Sequence, residues 1–574
     1  MCQTTSEAHI MSAALADTES KLSAKMTELK KDSGASEVGS GEIIHNPEHL
    51  QRHLTPRQVQ FVAIGGSIGT ALFVSIGYGL MRGAGSLLVA FALQACVIAQ
   101  VNNSLAEMTV FMPISASFIH HARTWVDDAW GFMVGWNFFL FEALLIPFEI
   151  TALDMVLTFW RDDIPSAAVI TTCIVLYAAC NVLVVKYFGE TEFWLAGGKL
   201  LLICILFFFT FITMVGGNPQ HDAYGFRNWS KPSPFVEYID TGNLGRFHGF
   251  LAALWQAAFT IVGPEYLATV AGEAQNPRKT MKSAFKSVYW RFGIFFIGGA
   301  LCVGIVLPAN DPTLLRVLSN GETGTGAASP FVIAMKNMNI GVLPHIVNAL
   351  LLTSIYSAGN AYVYCSSRSL YGLAINGHAP KFLTKCTKQG VPVYCLLVSV
   401  AFACLSYLKL GSGSVTVLTW LTNLITGGTL VTYIVICVNY LFFYRALQAQ
   451  NFNRSDLPYV GYLQPYGTWI ALVWLIAVEL FYGYAIFLKG RWDIGSFFSS
   501  YTMAILAFLL FGGWKIFNRT RFIRPEHAHL VGIRPAVDEH EAFIIDKEEV
   551  GLRRRMAQLL NARFRFHRDS RRSV

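Results

Sequence analysis

Residues 259–285 read FTIVGPEYLATVAGEAQNPRKTMKSAF. An apolar run reaches Val262, meets Gly263 and Pro264, and is followed at once by Glu265. Glycine lets a helix fray, and proline removes a backbone donor and clashes with the turn before it. A short second apolar piece follows, then Asn276-Pro277-Arg278-Lys279. A broken helix with a carboxylate at the break makes little sense in a soluble core. In a bilayer a break is tolerated where it lines a cavity or is buried in protein, and a carboxylate at that depth marks function by default.

Composition supports a membrane setting. The 574 residues are 53% hydrophobic and 14% charged, whereas soluble domains carry about 25% charged residues. The 43 Phe suit lipid-facing helices. A net charge of +8 would suit nucleic acid. The basic residues, however, gather between apolar runs and in the C-terminal tail, as the positive-inside rule expects. The expected surroundings are therefore a lipid bilayer and no nucleic acid. Most of the 11 cysteines fall inside apolar runs, among them Cys96, Cys173, Cys204 and Cys437. No disulfide framework is expected. The first apolar run begins near Val59, behind a polar stretch too long for a signal peptide.

Residues 1–55 are polar and read as a disordered cytosolic tail. Its Lys21, Lys25, Lys30 and Lys31 are open to modification, which makes trafficking or ubiquitin machinery a candidate partner. Residues 56–518 form the membrane domain, and 519–574 form a basic cytosolic tail. Twelve runs of spanning length are expected within the domain, near 58–80, 86–109, 130–160, 166–186, 193–215, 249–271, 288–308, 341–371, 392–409, 414–444, 466–488 and 496–517. The third, eighth and tenth are long enough to tilt or to extend past the bilayer. Arg278, Lys279, Lys282, Lys286 and Arg291, then Arg368, Lys381, Lys385 and Lys388, then the arginines of the tail all fall on one side. That side and both termini are read as cytosolic, with loops 217–248 and 309–340 outside. Asn228-Trp229-Ser230 places a glycosylation sequon in one outer loop.

A second break matches the first. Ile64-Gly65-Gly66-Ser67-Ile68-Gly69-Thr70-Ala71 interrupts the opening span. Each break falls in the first helix of a block of five spans, 56–215 and 249–444, with 466–517 left over. Interrupted helices at corresponding positions of two halves point to a secondary transporter's binding site. Half-helix N-termini attract a carboxylate and half-helix C-termini attract an ammonium, so a zwitterionic amino acid suits both. Close helix packing explains one glycine cluster well, but not two breaks in register with a glutamate beside one of them.

Ionisable residues inside spans come next. Lys199 stands among apolar residues in LAGGKLL, and Glu149 lies near the middle of the third span beside Pro147. Glu142 and Asp154 share that span, Glu107 reads as a helix-end charge, and Glu479 lies deep in the eleventh span without a role. His120-His121 reads as surface histidine. Enzyme chemistry finds little support. No GxGxxG follows a strand, Gly321–Gly326 has phosphate-loop spacing but Ala327 where lysine is needed, and His540-Glu541 lacks a second histidine. No catalytic residue, cofactor or metal is expected.

The chain resembles the fungal amino-acid permeases of the amino acid-polyamine-organocation superfamily. The likeness rests on GGSIGTALF, AEMTVFMPISASF, GETEFWLAGGK, AGEAQNPRKTM, SSRSLYGLAINGHAPKF and LPYVGYLQPYG, spread over residues 55–520. It implies an all-α integral membrane fold of the LeuT type, with twelve transmembrane helices: a 5+5 inverted repeat and two C-terminal helices. It also implies proton-driven amino-acid import at the plasma membrane. By the same resemblance, the amides of Gly69, Thr70 and Ala71 and the Thr70 hydroxyl receive the substrate carboxylate. The carbonyls of Ser67, Phe259 and Val262 receive its ammonium, with Thr260 and Gly263 in the second unwound turn and the Phe259 ring as a gate. Glu265 and Lys199 match positions linked to proton coupling, and Glu149 joins them by its depth. Ala71 stands where glycine is common, Ile261 where phenylalanine is frequent, and Pro264 where a small or β-branched residue is usual, so the relatives' side-chain selectivity does not transfer. No Arg or Lys but Lys199 lies in the central spans, which favours neutral amino acids. A sensor of the same fold that binds without transporting is the alternative.

Overall fold

The computed structural model describes residues 54–161, 163–183, 188–320, 329–387 and 391–530. Most of both tails, including the four N-terminal lysines, lies outside the described residues, as do Gly321–Gly326 and His540-Glu541. Among the described residues the secondary structure is helical, apart from isolated bridges at Leu54–Ala274 and Cys386–Pro392.

Helices α1 (Pro56–Ser67) and α2 (Ala71–Leu80) form one span bent by 45°. They are followed by α3 (Ala84–Phe111), α4 (Asp128–Leu157), α5 (Ser166–Leu183) and α6 (Phe188–Met214). The second block opens with α7 (Gly242–Thr260) and the short α8 (Pro264–Thr269). It continues with α9 (Pro277–Val306), α10 (Leu343–Ile375), α11 (Val393–Gly411) and α12 (Ser414–Ala449). Helices α13 (Tyr466–Phe481) and α14 (Ile494–Asn518) close the domain.

Seven described helices are long and apolar enough to cross a bilayer, and up to eight if the bent pair counts as one span. Four more expected runs fall short of that measure for identifiable reasons. Helix α4 carries Glu142, Glu149 and Asp154, α5 and α13 are short, and α7 is cut from α8 by Ile261–Gly263. The long α4, α10 and α12 have 30, 33 and 36 residues, more than the ~20 a bilayer needs. Outward-facing Trp194, Phe208 and Phe211 on α6, and Phe508, Ile516 and Phe517 on α14, are exposed. Apolar surface of that extent belongs against lipid.

Local sequence sets the helix limits. Thr55 caps α1, the Gln58 side chain reaches back to the Thr55 amide at 3.0 Å, and Pro56 takes the first turn. Both devices satisfy or remove donors that a helix start leaves without a partner. Leu54 then pairs with the segment after α8, donating to the Glu273 carbonyl at 2.9 Å and accepting from the Gln275 amide at 3.0 Å. Helix α4 is apolar on nearly all sides and packs against α10, α11, α12 and α14, as a helix without a polar face must.

The expected outer loops share one end of the bundle. The Gln220 amide donates to the Asn337 carbonyl at 3.2 Å, and the Pro234 carbonyl accepts from the Gly85 amide at 2.9 Å. The Asn228 side-chain nitrogen, which a glycan would need, donates to the Ile305 carbonyl at 2.8 Å.

The opposite end corrects two expectations. Glu107 is no mere helix-end charge. It is fully buried and ion-paired to Arg454, and it accepts from the Gly461 amide at 2.6 Å and the Tyr440 hydroxyl at 2.7 Å. Sequence alone could not bring together partners so far along the chain. His121 is not a surface residue either. It is buried and stacks on Trp125 with ring centres 4.1 Å apart, because the turn Ser117–His121 tucks beneath α12. At the same end Asp128 meets His378 at 3.0 Å, Trp514 at 2.9 Å and Arg123 at 2.9 Å. The His378 bond above all, then Trp514 and Arg123, holds the Asp128 carboxyl down at about 2 against its partial burial.

Candidate functional site

The two breaks meet. Helix α1 ends where Ile68 turns extended, with φ −115° and ψ 102°. Helix α7 ends where Ile261 does the same, with φ −88° and ψ 93°. Gly263 then adopts φ +145°, which a side chain would resist, and Pro264 opens α8. A Cβ on Gly263 would stand 3.3 Å from the Ser67 Cβ, so the two unwound segments touch.

Between them lies a cavity of about 20 Å³, room for a single water. Six residues expected at the site line it: Ser67, Gly69, Ala71, Glu149, Phe259 and Val262. The wall is completed by residues the sequence did not single out, chiefly Phe148, Tyr266, Tyr362 and Ile425. The Phe148 and Phe259 rings, both on the wall, meet edge to face at 5.3 Å. No amino acid fits in 20 Å³, so binding requires the wall to move. On its other side Thr70 borders a vestibule of about 310 Å³ lined by Tyr78, Trp255, Gln256, Asn423, Tyr482 and Tyr484 among others.

Glu149 holds the first break. Its carboxylate accepts a short hydrogen bond from the Thr70 hydroxyl. A Cβ on Gly69 would come within 2.8 Å of Glu149 Oε1, so only glycine lets the carboxylate approach this closely. Glu149 thus sits at the N-terminus of α2, where the backbone dipole favours an anion. That is the place expected for the substrate's own carboxylate, and no local motif indicates that a side chain occupies it.

Lys199 is fully buried and donates to the Gly65 carbonyl at 2.6 Å, while its charge also acts on Glu149. The Tyr362 hydroxyl donates to the Gly66 carbonyl at 2.9 Å. Carbonyls released where α1 unwinds are thus taken up by side chains, as backbone at membrane depth requires.

At the second break Glu265 stands behind the cavity rather than on its wall. It is fully buried and accepts from the Gly263 amide at 3.2 Å and the Tyr433 hydroxyl at 2.9 Å. Thr260 is buried as well and accepts from Gln256 Nε2 at 3.1 Å. Glu142, next to Tyr266 and within electrostatic reach of Glu265, is fully buried, and neither of its oxygens meets a donor in hydrogen-bond geometry. The aromatic partners Tyr362 and Tyr433 carry no sequence mark. Their bonds join residues 296 and 168 positions apart, and only the fold brings them together.

Residues 58–525 match the amino acid permease family. The chain is 44% identical over 500 residues to a general amino acid permease of Saccharomyces cerevisiae, covering 86% of this chain and 84% of that protein. It is 38% identical over 488 residues to a proline-specific permease of Emericella nidulans, covering 84% and 88%. It is 35% identical over 507 residues to a dicarboxylic amino acid permease of Saccharomyces cerevisiae, covering 87% and 83%.

Proposed function

The chain belongs to the amino acid permease family, and from that premise we propose that it imports neutral amino acids across the plasma membrane by proton symport with alternating access. The observation that carries this reading is the meeting of two unwound segments, Ile68–Thr70 and Ile261–Gly263, over one small cavity with Glu149 on its wall. Counting α4, α5, the α7–α8 pair and α13 as spans beside the eight gives twelve, in two blocks of five with inverted topology and two more helices. The vestibule then opens outside, and the basic end, with both termini, lies in the cytosol.

The substrate's ammonium meets the carbonyls at the ends of α1 and α7. Its carboxylate takes the N-terminus of α2. That position is held by Glu149, which is how proton and substrate become linked. A proton on Glu149 weakens its hold on Thr70 and frees the hydroxyl and the helix end for the substrate's carboxylate. Lys199 and Glu265 serve as further coupling residues, each fixing one break through a backbone group. Ser67, Gly69, Thr70, Ala71, Phe259, Thr260, Val262 and Gly263 form the binding segments.

Neutral substrates suit the wall. It is largely aromatic and aliphatic, holds no Arg or Lys, and presents a carboxylate that would repel a second acid. The relatives range from a proline-specific to a dicarboxylic amino acid permease, so the wall rather than overall identity guides this choice. Uptake of a labelled amino-acid panel into vesicles holding the purified protein, with and without an inward proton gradient, tests the proposal. Gradient-dependent accumulation of unchanged neutral amino acids is expected. Binding without accumulation would sink it.

A further inference from the structure

Glu479 lies on α13, outside the cavity and outside the coupling residues above. It is 7% exposed, and neither carboxylate oxygen has a hydrogen-bond partner. None of the donors around it is hydrogen-bonded to it. Tyr482 donates to Asn423 Oδ1 at 2.9 Å, Asn423 Nδ2 donates to Ser499 at 3.1 Å, and Tyr501 donates to the Leu480 carbonyl at 3.0 Å. On the α3 side, Gln94 accepts from Trp474 at 3.2 Å, and its Nε2 donates neither to Glu479 nor to another acceptor. Tyr482 and Tyr501 lie within electrostatic reach of it, and among the described residues no charged group from α3, α12 or α14 balances the carboxylate.

The space beside it is made by a missing side chain. A Cβ on Gly427 of α12 would stand 3.6 Å from Glu479 Oε1, 3.6 Å from the Ser500 carbonyl oxygen and 3.4 Å from the Met503 Cβ. A carboxylate oxygen and a carbonyl oxygen therefore both border the place a side chain on Gly427 would take. A buried anion without a partner is far too costly to persist. A proton on the carboxyl removes that charge and supplies an O–H donor where only acceptors border the gap.

We propose that Glu479 is a proton-binding site between α12, α13 and α14, filled from the vestibule. Tyr482, one helical turn from Glu479, lines the vestibule with Asn423 and Ser500, so water reaches the edge of the site. The proton's effect would pass along α12. That helix offers Gly427 to Glu479, Ile425 to the cavity and the Tyr433 hydroxyl to Glu265. Loss of the proton leaves a charge that draws water in and pries α12 from α13 and α14. The site stands without the transport reading; its influence on uptake rests on it.

Infrared difference spectra of the purified full-length protein against Glu479→Gln test the proton directly. The Gln variant mimics the protonated acid in shape. A protonated carboxyl C=O band in the wild type at neutral pH, absent from the variant, is expected. No lost band, or loss of an ionised carboxylate band instead, overturns the proposal. If Glu479→Gln does not fold, Gly427→Ala serves, since its methyl meets only ordinary contacts. The band should then shift, and an unshifted band overturns the assignment. In vesicles, wild-type uptake above the midpoint of the group should fall by up to about tenfold more per pH unit than uptake by the Gln variant, which keeps only the limb set by the coupling residues. A sodium requirement lost in the variant, in place of a pH limb, would mean that a metal cation fills the gap and would overturn the proton. Band loss in a protein that accumulates no amino acid would uphold the site and count against the transport reading alone.

Discussion

The two ends of the bundle are built in opposite ways. At one end a vestibule of about 310 Å³ runs down to Thr70 between α2, α7, α12 and the last two helices. At the other, the chain between α12 and α13 is strapped across α3 and α9. Arg454 and Gly461 bind Glu107, Asn103 Nδ2 donates to the Tyr462 carbonyl at 3.3 Å, and Lys282 donates to the Pro458 carbonyl at 3.1 Å. The open end is walled by tyrosines, tryptophan and small polar side chains. The shut end depends on charge. A wall of aromatic rims can part at little electrostatic cost, whereas a buried ion pair cannot be pulled apart without leaving a charge stranded. Under the alternating access proposed above, the larger electrostatic cost of opening falls at the strapped end.

The largest test of that contrast is Arg454→Ala. It leaves the buried Glu107 carboxylate without its cation, a loss of about 3–5 kcal/mol. A marked drop in the melting temperature of the detergent-solubilised protein is expected, with partial recovery in Glu107→Gln/Arg454→Ala. A wild-type melting curve for the single variant would mean that the strap does not depend on charge.

Thr70→Ala acts where the vestibule meets the cavity. It removes the donor that holds Glu149, worth about 1–3 kcal/mol for a buried group left unsatisfied. The apparent affinity for substrate in vesicles should fall along with stability. Unchanged affinity would separate Thr70 from binding.

Asp128 tests the shut end by pH. Its folded value, about 2, lies below the ordinary 3.8. The stabilisation is therefore complete above the ordinary value and is lost as pH falls through about 2. Because the group is partly exposed, about 1 kcal/mol is the expected size after solvent screening. Acid melting curves of the wild type and Asp128→Asn should converge toward pH 2 and separate near neutrality, with the wild type higher.

The smallest effect on stability belongs to the open end. Thr419→Trp places a large ring on the exposed vestibule wall. Melting should change by no more than about 0.5 kcal/mol, the usual range for surface positions, while uptake falls sharply. A large loss of stability would mean that this wall is packed more tightly than its shape implies.

The parts of the site written in local chemistry were legible in the sequence. Gly65–Gly69 and Gly263–Pro264 announce broken helices because glycine and proline act on the backbone wherever they stand. Glu149, Glu265 and Lys199 announce themselves because ionisable groups are rare inside spans. What the sequence concealed are the pairings. Nothing near Tyr433 indicates a bond to Glu265, and nothing near Glu107 indicates Arg454. Glu149 was recognised as a residue of interest but not as the anion capping α2, because that depends on how α4 packs against the first break. His121 was misplaced for the same reason. The short helix that buries it is set by tertiary packing with Trp125 and α12, not by its own composition.

The short backbone pairing at Leu54 has a mechanical consequence. Leu54 lies just before α1, and its partners Glu273 and Gln275 lie just after α8. The free ends of the two broken helices are therefore pinned together below the point where each is cut. A torque on one lower half is transmitted to the other as through a shared axle. The pair has one degree of freedom where two separate levers would have two, so in the alternating access proposed above the two breaks would open and close in step.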